Sequence, residues 1–462
     1  MIAARRARSS FALDRAIEWA RELDRPLVVL EALRAGYAHA SDRLHRFVLD
    51  GMRDNARAFA PTPILHHPYV ERRSDAGKGL LSALARQACV VVTDEFPCFF
   101  LPKMVAAAAR AIDAHLEVVD GNGLLPLAAT SRSFTAAVHF RRWAQKELPA
   151  HLAHFPVAEP LSRLRLPELG RLPADVARRW PRASDRLLDG DAAALRELPI
   201  DHEVPPVRMR GGSRAAHAAL RSFVRDRLDE YDARRGEPEA NGTSRLSPYL
   251  HFGHLGVHEV VRAVLAHERW SPSKLAPRAT GSRDGWWGVS APAEAFLDEL
   301  VTWRELGYHH CARRPRDYDR YEALPAWARA TLEVHARDPR PHVYSRADIE
   351  AGATHDPVFN AAQGQMRREG WFHNSLRMLW GKKILEWSRT PRAALATMEV
   401  VMNRWSLDGR NPNSYTGYLW SLGGFDRPWP ERAIYGRVRA MMSASLARKV
   451  SLARYVAAYA RG

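Results

Sequence analysis

The sequence predicts an α/β domain at the N-terminus and an all-helical domain at the C-terminus. In the first 125 residues, short apolar runs alternate with segments whose apolar residues recur at helical spacing. From about residue 205 onward the helical spacing dominates, and β signals are scarce. Between these parts Pro and Arg interrupt the chain often, which favours a partly structured linker. We therefore expect an α/β domain over 1–125, an interdomain linker over 126–204 and a helical domain over 205–462.

The N-terminal elements follow one another in an order that is typical of a parallel sheet. Apolar runs at 26–33, 64–70, 89–96 and 116–123 predict strands, and the stretches between them predict helices. This alternation predicts a Rossmann-like parallel sheet with helices on both faces. The chain enters a helix at Phe11 with no strand before it, although such sheets usually begin with a central strand. Either the sequence starts after that strand, or the strand is missing, or none belongs there.

Composition narrows the class of partner. The chain has 462 residues, of which 46% are hydrophobic, and a formal net charge of +17. That charge favours a polyanion, nucleic acid first, with an Arg-rich proteome as the alternative explanation. Cys89, Cys98 and Cys311 are scattered, so we expect neither a disulfide framework nor a metal site. No apolar run approaches a membrane span and no signal-peptide pattern is present, which predicts a cytoplasmic protein without membrane contact.

A cluster of hydroxyl residues follows a predicted helix end. In YDARRGEPEANGTSRLSPYLHFGHL, glycines and a proline end the helix, and Thr243, Ser244 and Ser247 come just before Pro248. Hydroxyls and free backbone N–H groups at a loop-to-helix junction suit a phosphate group. An ordinary Ser or Thr N-cap is the alternative for any single one of these residues. The length of the segment favours the phosphate interpretation.

Three segments then resemble one known family in the same order. TSRLSPYLHFG resembles the FAD-pyrophosphate segment of the photolyase and cryptochrome family, and EGWFHNSLRMLWGKKILEWS resembles its flavin-side helix. The run GRNPNSYTGYLWSLGGFDRPWPERAIYGRVRAMM is similar to the class II branch, the cyclobutane pyrimidine dimer (CPD) photolyases. The resemblance covers nearly the whole chain and is weakest across the predicted linker. It implies FAD as cofactor, while the antenna chromophore stays unknown.

The resemblance implies an activity and a partner. Photolyases of this branch repair pyrimidine dimers in DNA under blue light, by electron transfer from reduced FAD to the flipped-out lesion. The expected protein is a monomeric carbon–carbon lyase that binds DNA containing pyrimidine dimers. The alternative is a cryptochrome-like flavoprotein photoreceptor without repair activity. A helical nucleic-acid-binding protein without cofactor would leave the three matching segments unexplained.

The resemblance also assigns residues to the cofactor. Arg377 and Asp408 match a buried pair beside the isoalloxazine ring, and Arg235 and Asp426 match a second ion pair that closes the pocket. A gapless match places Met402 opposite the flavin N5 nitrogen, whereas a one-residue slip places Asn403 there. The remaining residues that match cofactor contacts are Tyr231, Thr243, Ser244, Leu246, Ser247 and Asn374.

Four residues match the lesion pocket of the family. Glu299 and Trp303 are four residues apart in a predicted helix, so both lie on one face. The resemblance implies that Glu299 contacts the bases of the dimer and that Trp303 packs against the lesion. It places Trp420 as a second aromatic wall and Met378 as a further pocket residue. Without the resemblance, a solvated carboxylate and a core tryptophan would be the simpler interpretations of Glu299 and Trp303.

A chain of aromatic residues departs from the pattern of the branch. Trp380 and Trp387 are seven residues apart, two turns along one helix face, and match the inner and outer tryptophans that return electrons to the flavin. The middle member should fall in DPVFNAAQ, where this chain has Phe359. Because phenylalanine is far harder to oxidise than tryptophan, we expect slower photoreduction but unimpaired repair. This departure makes Phe359 a position to test.

Overall fold

Two pairs of parallel strands form the β structure in this computed structural model, which describes residues 1–459. Strand β1 (Val28–Leu33) pairs with β2 (Leu65–Val70), starting from Val28 opposite Leu65. Strand β3 (Val90–Asp94) pairs with β4 (His115–Val119) in the same parallel sense. All four predicted strands are confirmed, and both pairings are parallel. Within the described residues the two pairs share no strand ladder.

The N-terminal segment contacts one strand of each pair without forming a strand itself. The backbone nitrogen of Met1 donates to Leu30 O in β1 at 2.9 Å. The N–H groups of Ile2, Ala3 and Ala4 all donate to the Asp94 carboxylate at the end of β3. These first residues therefore contact both β1 and β3. They extend neither strand pair, because β1 contributes only one backbone carbonyl and β3 only a side-chain carboxylate.

Helices surround the strands and fill the stretch that separates them from the C-terminal half. Helix α2 is buried on most of its circumference, because 12 of its 18 residues are buried, among them Leu44, Phe47 and Phe59. The helices of this part of the chain are α1 (Phe11–Glu22), α2 (Asp42–Phe59), α3 (Leu80–Ala85), α4 (Leu101–Ala111), α5 (Ala137–His151), α6 (Ala174–Arg179), α7 (Asp185–Leu188), α8 (Ala192–Arg196) and α9 (Ser213–Asp226).

The second part of the predicted linker packs against the strands. Leu187 and Leu195, on α7 and α8, are buried in one apolar cluster with Leu33 of β1 and Val70 of β2. Trp180 is buried in another cluster with Tyr69 of β2. Short helices, capped by Ser184 and Asp191, hold these leucines in place. The stretch from 150 to 204 therefore contributes to a hydrophobic core, while the predicted domain boundaries stay predictions.

The C-terminal half is helical throughout, as the sequence predicts. Its helices are α10 (Tyr231–Arg234), α11 (Ser247–His251), α12 (Val257–His267), α13 (Ala291–Leu297), α14 (Arg304–Arg313), α15 (Ala326–Val334), α16 (Arg346–Ala351), α17 (Pro357–Glu369), α18 (Asn374–Trp387), α19 (Pro391–Trp405), α20 (Pro412–Ser421), α21 (Ser443–Ala447) and α22 (Ala453–Tyr459). A π-helical turn, Asp298–Trp303, joins α13 to α14. Short 3₁₀ turns lie at Leu127–Ala129, Leu228–Glu230, Pro238–Ala240, Pro272–Lys274, Tyr321–Ala323 and His335–Arg337.

The chain forms two compact units that alternate along the sequence. The first contains residues 1–127, 150–221 and 245–263, and the second contains 128–149, 222–244 and the described residues from 264 onward. The second unit contains the α13–α14, α18, α19 and α20 helices, on which, with the π-turn between α13 and α14, half of the predicted site residues lie. None of the helices within residues 1–459 combines the length and apolar character needed to cross a membrane.

Candidate active site

Glu299 and Trp303 lie on a π-helical turn in the middle of a long helix. The turn spans Asp298–Trp303, and the N–H of Arg304 donates back five residues to Glu299 O. The sequence predicts an uninterrupted α-helix here, so this wider turn is a correction. Single π-turns inside α-helices occur frequently at functional sites, because the extra residue changes the direction of the side chains. Both Glu299 and Trp303 remain half-buried, within reach of a ligand.

The Glu299 carboxylate is held by an arginine. Arg235 Nη1 lies 2.8 Å from Glu299 Oε1, and the guanidinium also lies over the Tyr231 ring at 5.6 Å. Burial raises the pKa of Glu299, the neighbouring Asp298 raises it further, and Arg235 opposes the shift. The carboxyl group therefore keeps a proton to a higher pH than an ordinary glutamate, although 34% of its side chain is exposed.

The predicted ion pair between Arg235 and Asp426 is wrong. Arg235 pairs with Glu299, while Asp426 lies 3.0 Å from Arg439. Asp426 also accepts a hydrogen bond from Trp429 Nε1 at 3.4 Å. Arg235 lies closer to Glu299 than to Asp426, and Asp426 lies closer to Arg439 than to Arg235, so the electrostatic attraction favours the observed pairs.

The predicted pair of Arg377 and Asp408 is confirmed. Arg377 Nη2 donates to Asp408 Oδ1 at 2.9 Å, and its Nε donates to Phe372 O at 3.1 Å. Ser406 Oγ donates to the same carboxylate at 2.6 Å. Asp408 is 5% exposed, so its charge is compensated by a guanidinium and a hydroxyl in a dry environment. The ion pair joins α18, which carries Arg377, to the segment between α19 and α20, which carries Asp408.

Asn403 anchors that same segment. Its Oδ1 accepts hydrogen bonds from the backbone N–H of Arg410 at 2.7 Å and from Tyr418 OH at 3.2 Å. No described residue accepts a hydrogen bond from its Nδ2. Met402, one position earlier, is 5% exposed and belongs to the apolar core. Of Met402 and Asn403, the two residues that the sequence leaves open, only Asn403 therefore has a side-chain N–H group available to a ligand.

Helix α20 connects two residues of the predicted lesion pocket, Trp303 and Trp420. Asn413, in its first turn, donates from Nδ2 to Trp303 O at 3.0 Å. Gly307 of α14 approaches this turn so closely that a Cβ there would lie 3.1 Å from Asn413 N. The close packing of α14 on α20 fixes Trp303 relative to α20, the helix that carries Trp420. Met378 is half-buried on α18, and Asn374 opens that helix and is exposed.

The segment that carries Thr243, Ser244 and Ser247 has a strongly turned backbone. Asn241 and Arg245 adopt left-handed φ values of 51° and 55°, on either side of Thr243 and Ser244. Arg227 Nη1 donates to Thr243 O at 2.8 Å, which fixes the turn. Thr243 and Ser244 belong to the second unit, whereas Leu246 and Ser247 belong to the first. Ser247 is the first residue of α11.

The three aromatic residues of the predicted electron-transfer chain are adjacent. Phe359 lies parallel to Trp380, with ring centroids 6.5 Å apart, and its ring is 5.0 Å from Trp387. All three side chains are buried. Trp387, expected to be the outer member, is 2% exposed because Tyr344 and His355 pack over it at 5.4 and 5.3 Å. Phe359 therefore occupies the middle position, as predicted.

Known proteins resemble this chain over almost its whole length. No protein-family model matches the chain. The chain is 32% identical over 457 residues to a deoxyribodipyrimidine photo-lyase of Methanothermobacter thermautotrophicus, covering 99% of this chain and 92% of that relative. It is 32% identical over 450 residues to the enzyme of the same name from Oryza sativa, covering 93% of this chain and 81% of the relative.

The chain belongs to the deoxyribodipyrimidine photo-lyase family.

Solved structures of photolyases share its fold. A class III photolyase from Agrobacterium tumefaciens superposes with a TM-score of 0.69 at 16% identity, covering 99% of this chain and 85% of that one. An archaeal photolyase from Sulfolobus tokodaii, solved with two FAD molecules, gives a TM-score of 0.64 at 14% identity, covering 99% and 88%. The predicted combination of an α/β domain with a helical domain is confirmed by this likeness.

Sequence reasoning missed several residues that shape this photolyase site. Arg439 lies over the Trp429 ring at 4.2 Å and near Trp420 at 5.7 Å, and it pairs with Asp426. Arg439 lies in the run that resembles the class II branch, but the resemblance assigns it no role. Asn413 and Arg410 act through backbone contacts, which residue type alone does not reveal. The proline and glycine content of their segment was the one signal that it forms a special turn.

Arg410 is expected to be essential for the stability of the segment between α19 and α20. It is 3% exposed and donates to the carbonyls of Asn403, Ser406 and Leu407. Arg410→Met removes the guanidinium donors from these carbonyls, of which only Ser406 O keeps another one among the described residues, the Gly409 N–H, and should lower the free energy of unfolding by roughly 2–4 kcal/mol. Urea unfolding measures the change.

The control for this prediction is an exposed ion pair. Arg392 pairs with Glu322, and both side chains are about half exposed. Arg392→Met should therefore change stability by less than about 1 kcal/mol. Equal losses in the two variants would contradict the structural role of Arg410.

Proposed function

We propose that this protein is a light-driven DNA repair enzyme of the class II type, which splits cyclobutane pyrimidine dimers with FAD as its cofactor. One observation carries the proposal: Glu299 and Trp303 share a π-turn that Asn413 connects to the helix carrying Trp420. This places a carboxyl group with a raised pKa beside Trp303, whose backbone carbonyl accepts a hydrogen bond from Asn413. The full-length similarity to photo-lyases supports the same function.

The aromatic residues provide the walls for a flipped-out lesion. A dimer inside a duplex has no access to a buried cofactor, so it must leave the base stack. Trp303 and Trp420 are both half-buried and therefore retain exposed ring surface for stacking. Met378 is half-buried as well and adapts to an irregular ligand surface, since its thioether side chain is flexible. Together they favour the flat, apolar faces of two joined pyrimidines.

Glu299 supplies the polar contact to the bases. Arg235 binds its Oε1 at 2.8 Å and thereby orients the carboxyl group, which leaves Oε2 for the lesion. Because burial raises the pKa of Glu299, the group can hold a proton near the carbonyl oxygens of the dimer. A proton at that place stabilises the negative charge that the dimer carries when it has accepted an electron.

The residues present fit FAD. Thr243 and Ser244 lie on a turned backbone whose hydroxyl and N–H groups suit the diphosphate. Arg377 and Asp408 would lie beside the isoalloxazine ring, and Asn403 has an Nδ2 without an acceptor in the protein. Tyr231, Leu246 and Asn374 would complete the contacts. When bound, reduced FAD excited by blue light supplies the electron that opens the cyclobutane ring.

Trp380, Phe359 and Trp387 would carry electrons to the cofactor, and Phe359 is the residue that limits this transfer. Phe359→Trp should accelerate photoreduction of the FAD-loaded protein at least tenfold, because an oxidisable ring then lies between the two tryptophans. Transient absorption under blue light with an external reductant measures the rate. Phe359→Leu is the matched control and should leave the rate unchanged, since phenylalanine itself is not oxidised. An unchanged rate in Phe359→Trp would exclude this route.

Basic residues near Trp420 would hold the DNA duplex. Arg427 and Arg439 stack on Trp429 at 5.2 and 4.2 Å, and Arg437 is exposed beside them. Together with the net charge of +17, this cluster suits contacts to phosphates without reading sequence. The protein would act as a cytoplasmic monomer on DNA that contains pyrimidine dimers.

Two measurements test the proposal against a cryptochrome-like photoreceptor. The absorption spectrum of the purified protein should show flavin bands, and their absence would exclude both functions. In the dark, the FAD-loaded protein should bind a dimer-containing duplex much more tightly than the undamaged duplex. Equal affinities would favour the photoreceptor, since such a protein has no use for a lesion pocket.

A further inference from the structure

Helix α18 buries a lysine without a carboxylate partner. Lys382 is 0% exposed, and its Nζ donates to Ser421 O at 2.8 Å and to Trp420 O at 3.2 Å. Within residues 1–459, no carboxylate lies within 4.0 Å of this ammonium, and Asp426 acts on it only from farther away. Fully buried lysines without a charged partner are rare, because desolvation of the ammonium is unfavourable.

The ammonium caps the helix that carries Trp420. Trp420 and Ser421 are the last two residues of α20, where backbone carbonyls lack partners within the helix. A positive charge at this end also interacts favourably with the helix dipole. Lys382 reaches the carbonyls because its neighbour Gly381 allows close approach, since a Cβ there would lie 2.2 Å from Ser421 Oγ. The backbone of Trp420 is thereby fixed at a helix end.

The same ammonium contacts the Trp420 ring. Lys382 Nζ lies 4.5 Å from the ring centroid, and Arg439 lies 5.7 Å from it. A cation in a desolvated environment is attracted strongly to an indole face. Lys382 therefore holds both the backbone and the side chain of one residue.

This arrangement costs stability. Burial lowers the pKa of Lys382 to about 7, which means that its charged form is disfavoured in the folded protein. The next residue, Lys383, is different, because it pairs with Glu386 at 2.9 Å while lying 5.4 Å from the Trp387 ring. The buried lysine therefore has two opposed effects on folding, because desolvation of its ammonium is unfavourable, whereas its hydrogen bonds satisfy the carbonyls of Trp420 and Ser421.

We propose that Lys382 is a positioning residue of the lesion pocket, which holds the Trp420 ring in the orientation that stacks on the flipped-out dimer. The proposal rests on the proposed function, because it requires Trp420 to be a wall of that pocket. Lys382 acts through Trp420 and does not touch the lesion. Its removal should weaken recognition of the lesion while leaving contacts to undamaged DNA intact.

The test compares Lys382→Met with Lys383→Met. For each FAD-loaded variant, dissociation constants are measured for a dimer-containing duplex and for its undamaged counterpart, together with the melting temperature and the repair rate at saturating DNA. Lys382→Met should bind the dimer about tenfold more weakly, bind undamaged DNA unchanged and repair bound dimers at nearly the wild-type rate. Lys383→Met should melt earlier, because it leaves Glu386 without its cation, and keep the preference for the dimer.

Two further variants make the result unambiguous. Lys382→Gln can still donate to the carbonyls but lacks the charge, so it should show an intermediate loss and serves if Lys382→Met does not fold. In a Trp420→Ala background, Lys382→Met should have no additional effect on dimer affinity, since both changes remove the same contact.

Three outcomes would overturn the proposal: unchanged dimer affinity in Lys382→Met and Lys382→Gln, equal losses for damaged and undamaged DNA, or losses that add in the Trp420→Ala background. A wild-type protein without preference for the dimer would instead refute the proposed function.

Discussion

Glu299→Ala should slow the repair of bound dimers by roughly 10²-fold, the lower end of what a positioned acid or base contributes. The carboxyl group lies on the π-turn beside Trp303, is oriented by Arg235 and has a raised pKa. In the proposed site, its loss removes the carboxyl group that contacts the bases of the dimer. The rate is measured under blue light with reduced, FAD-loaded protein at saturating dimer-containing oligonucleotide, so that binding does not limit it.

Asp298→Asn is the matched control for Glu299→Ala. Asp298 is the preceding residue of the same turn, but its carboxylate pairs with Arg141 at 2.7 Å and is buried. This change should lower stability, since it weakens a buried pair, and leave the repair rate of bound dimers close to wild type. If both variants lost the same activity, Glu299 would act only through the geometry of the turn.

Trp303→Ala should weaken binding of the dimer by about ten- to a hundredfold, as stacking on one base contributes roughly 1–3 kcal/mol. Affinity for undamaged DNA should stay unchanged, because in the proposed site Trp303 contacts only the flipped-out lesion. Fluorescence anisotropy with matched damaged and undamaged duplexes measures both values. Trp303→Phe keeps an aromatic face and should recover most of the loss. An equal loss for both duplexes would mean that Trp303 is a structural residue of α14.

Much of the fold follows from the sequence because local patterns determine it. The strands at Val28–Leu33 and Leu65–Val70 are apolar runs bounded by helix patterns, and the structure has them where the pattern predicts. The Arg377–Asp408 pair was also predicted, through the resemblance of long segments. Such features depend on neighbours in sequence or on motifs that are retained as a whole.

The features that were missed depend on contacts between distant segments. Glu299 and Asp426 are both carboxylates, and only the tertiary structure decides which of them pairs with Arg235. The π-turn has no signature in residue type, since it is a change in hydrogen-bond pattern within a helix. Lys382 was overlooked for a related reason: a lysine in a helical pattern normally marks the solvent face, whereas here a glycine beside it brings two helices together.

The most direct test of the account is the repair reaction itself. The purified protein, loaded with FAD and chemically reduced, is illuminated with blue light in the presence of a dimer-containing oligonucleotide, and intact pyrimidines are quantified by chromatography against a dark control. The account predicts that the dimers are converted to pyrimidines in the light and persist in the dark. A protein that holds reduced FAD and binds the oligonucleotide, yet leaves the dimers intact under light, would contradict it.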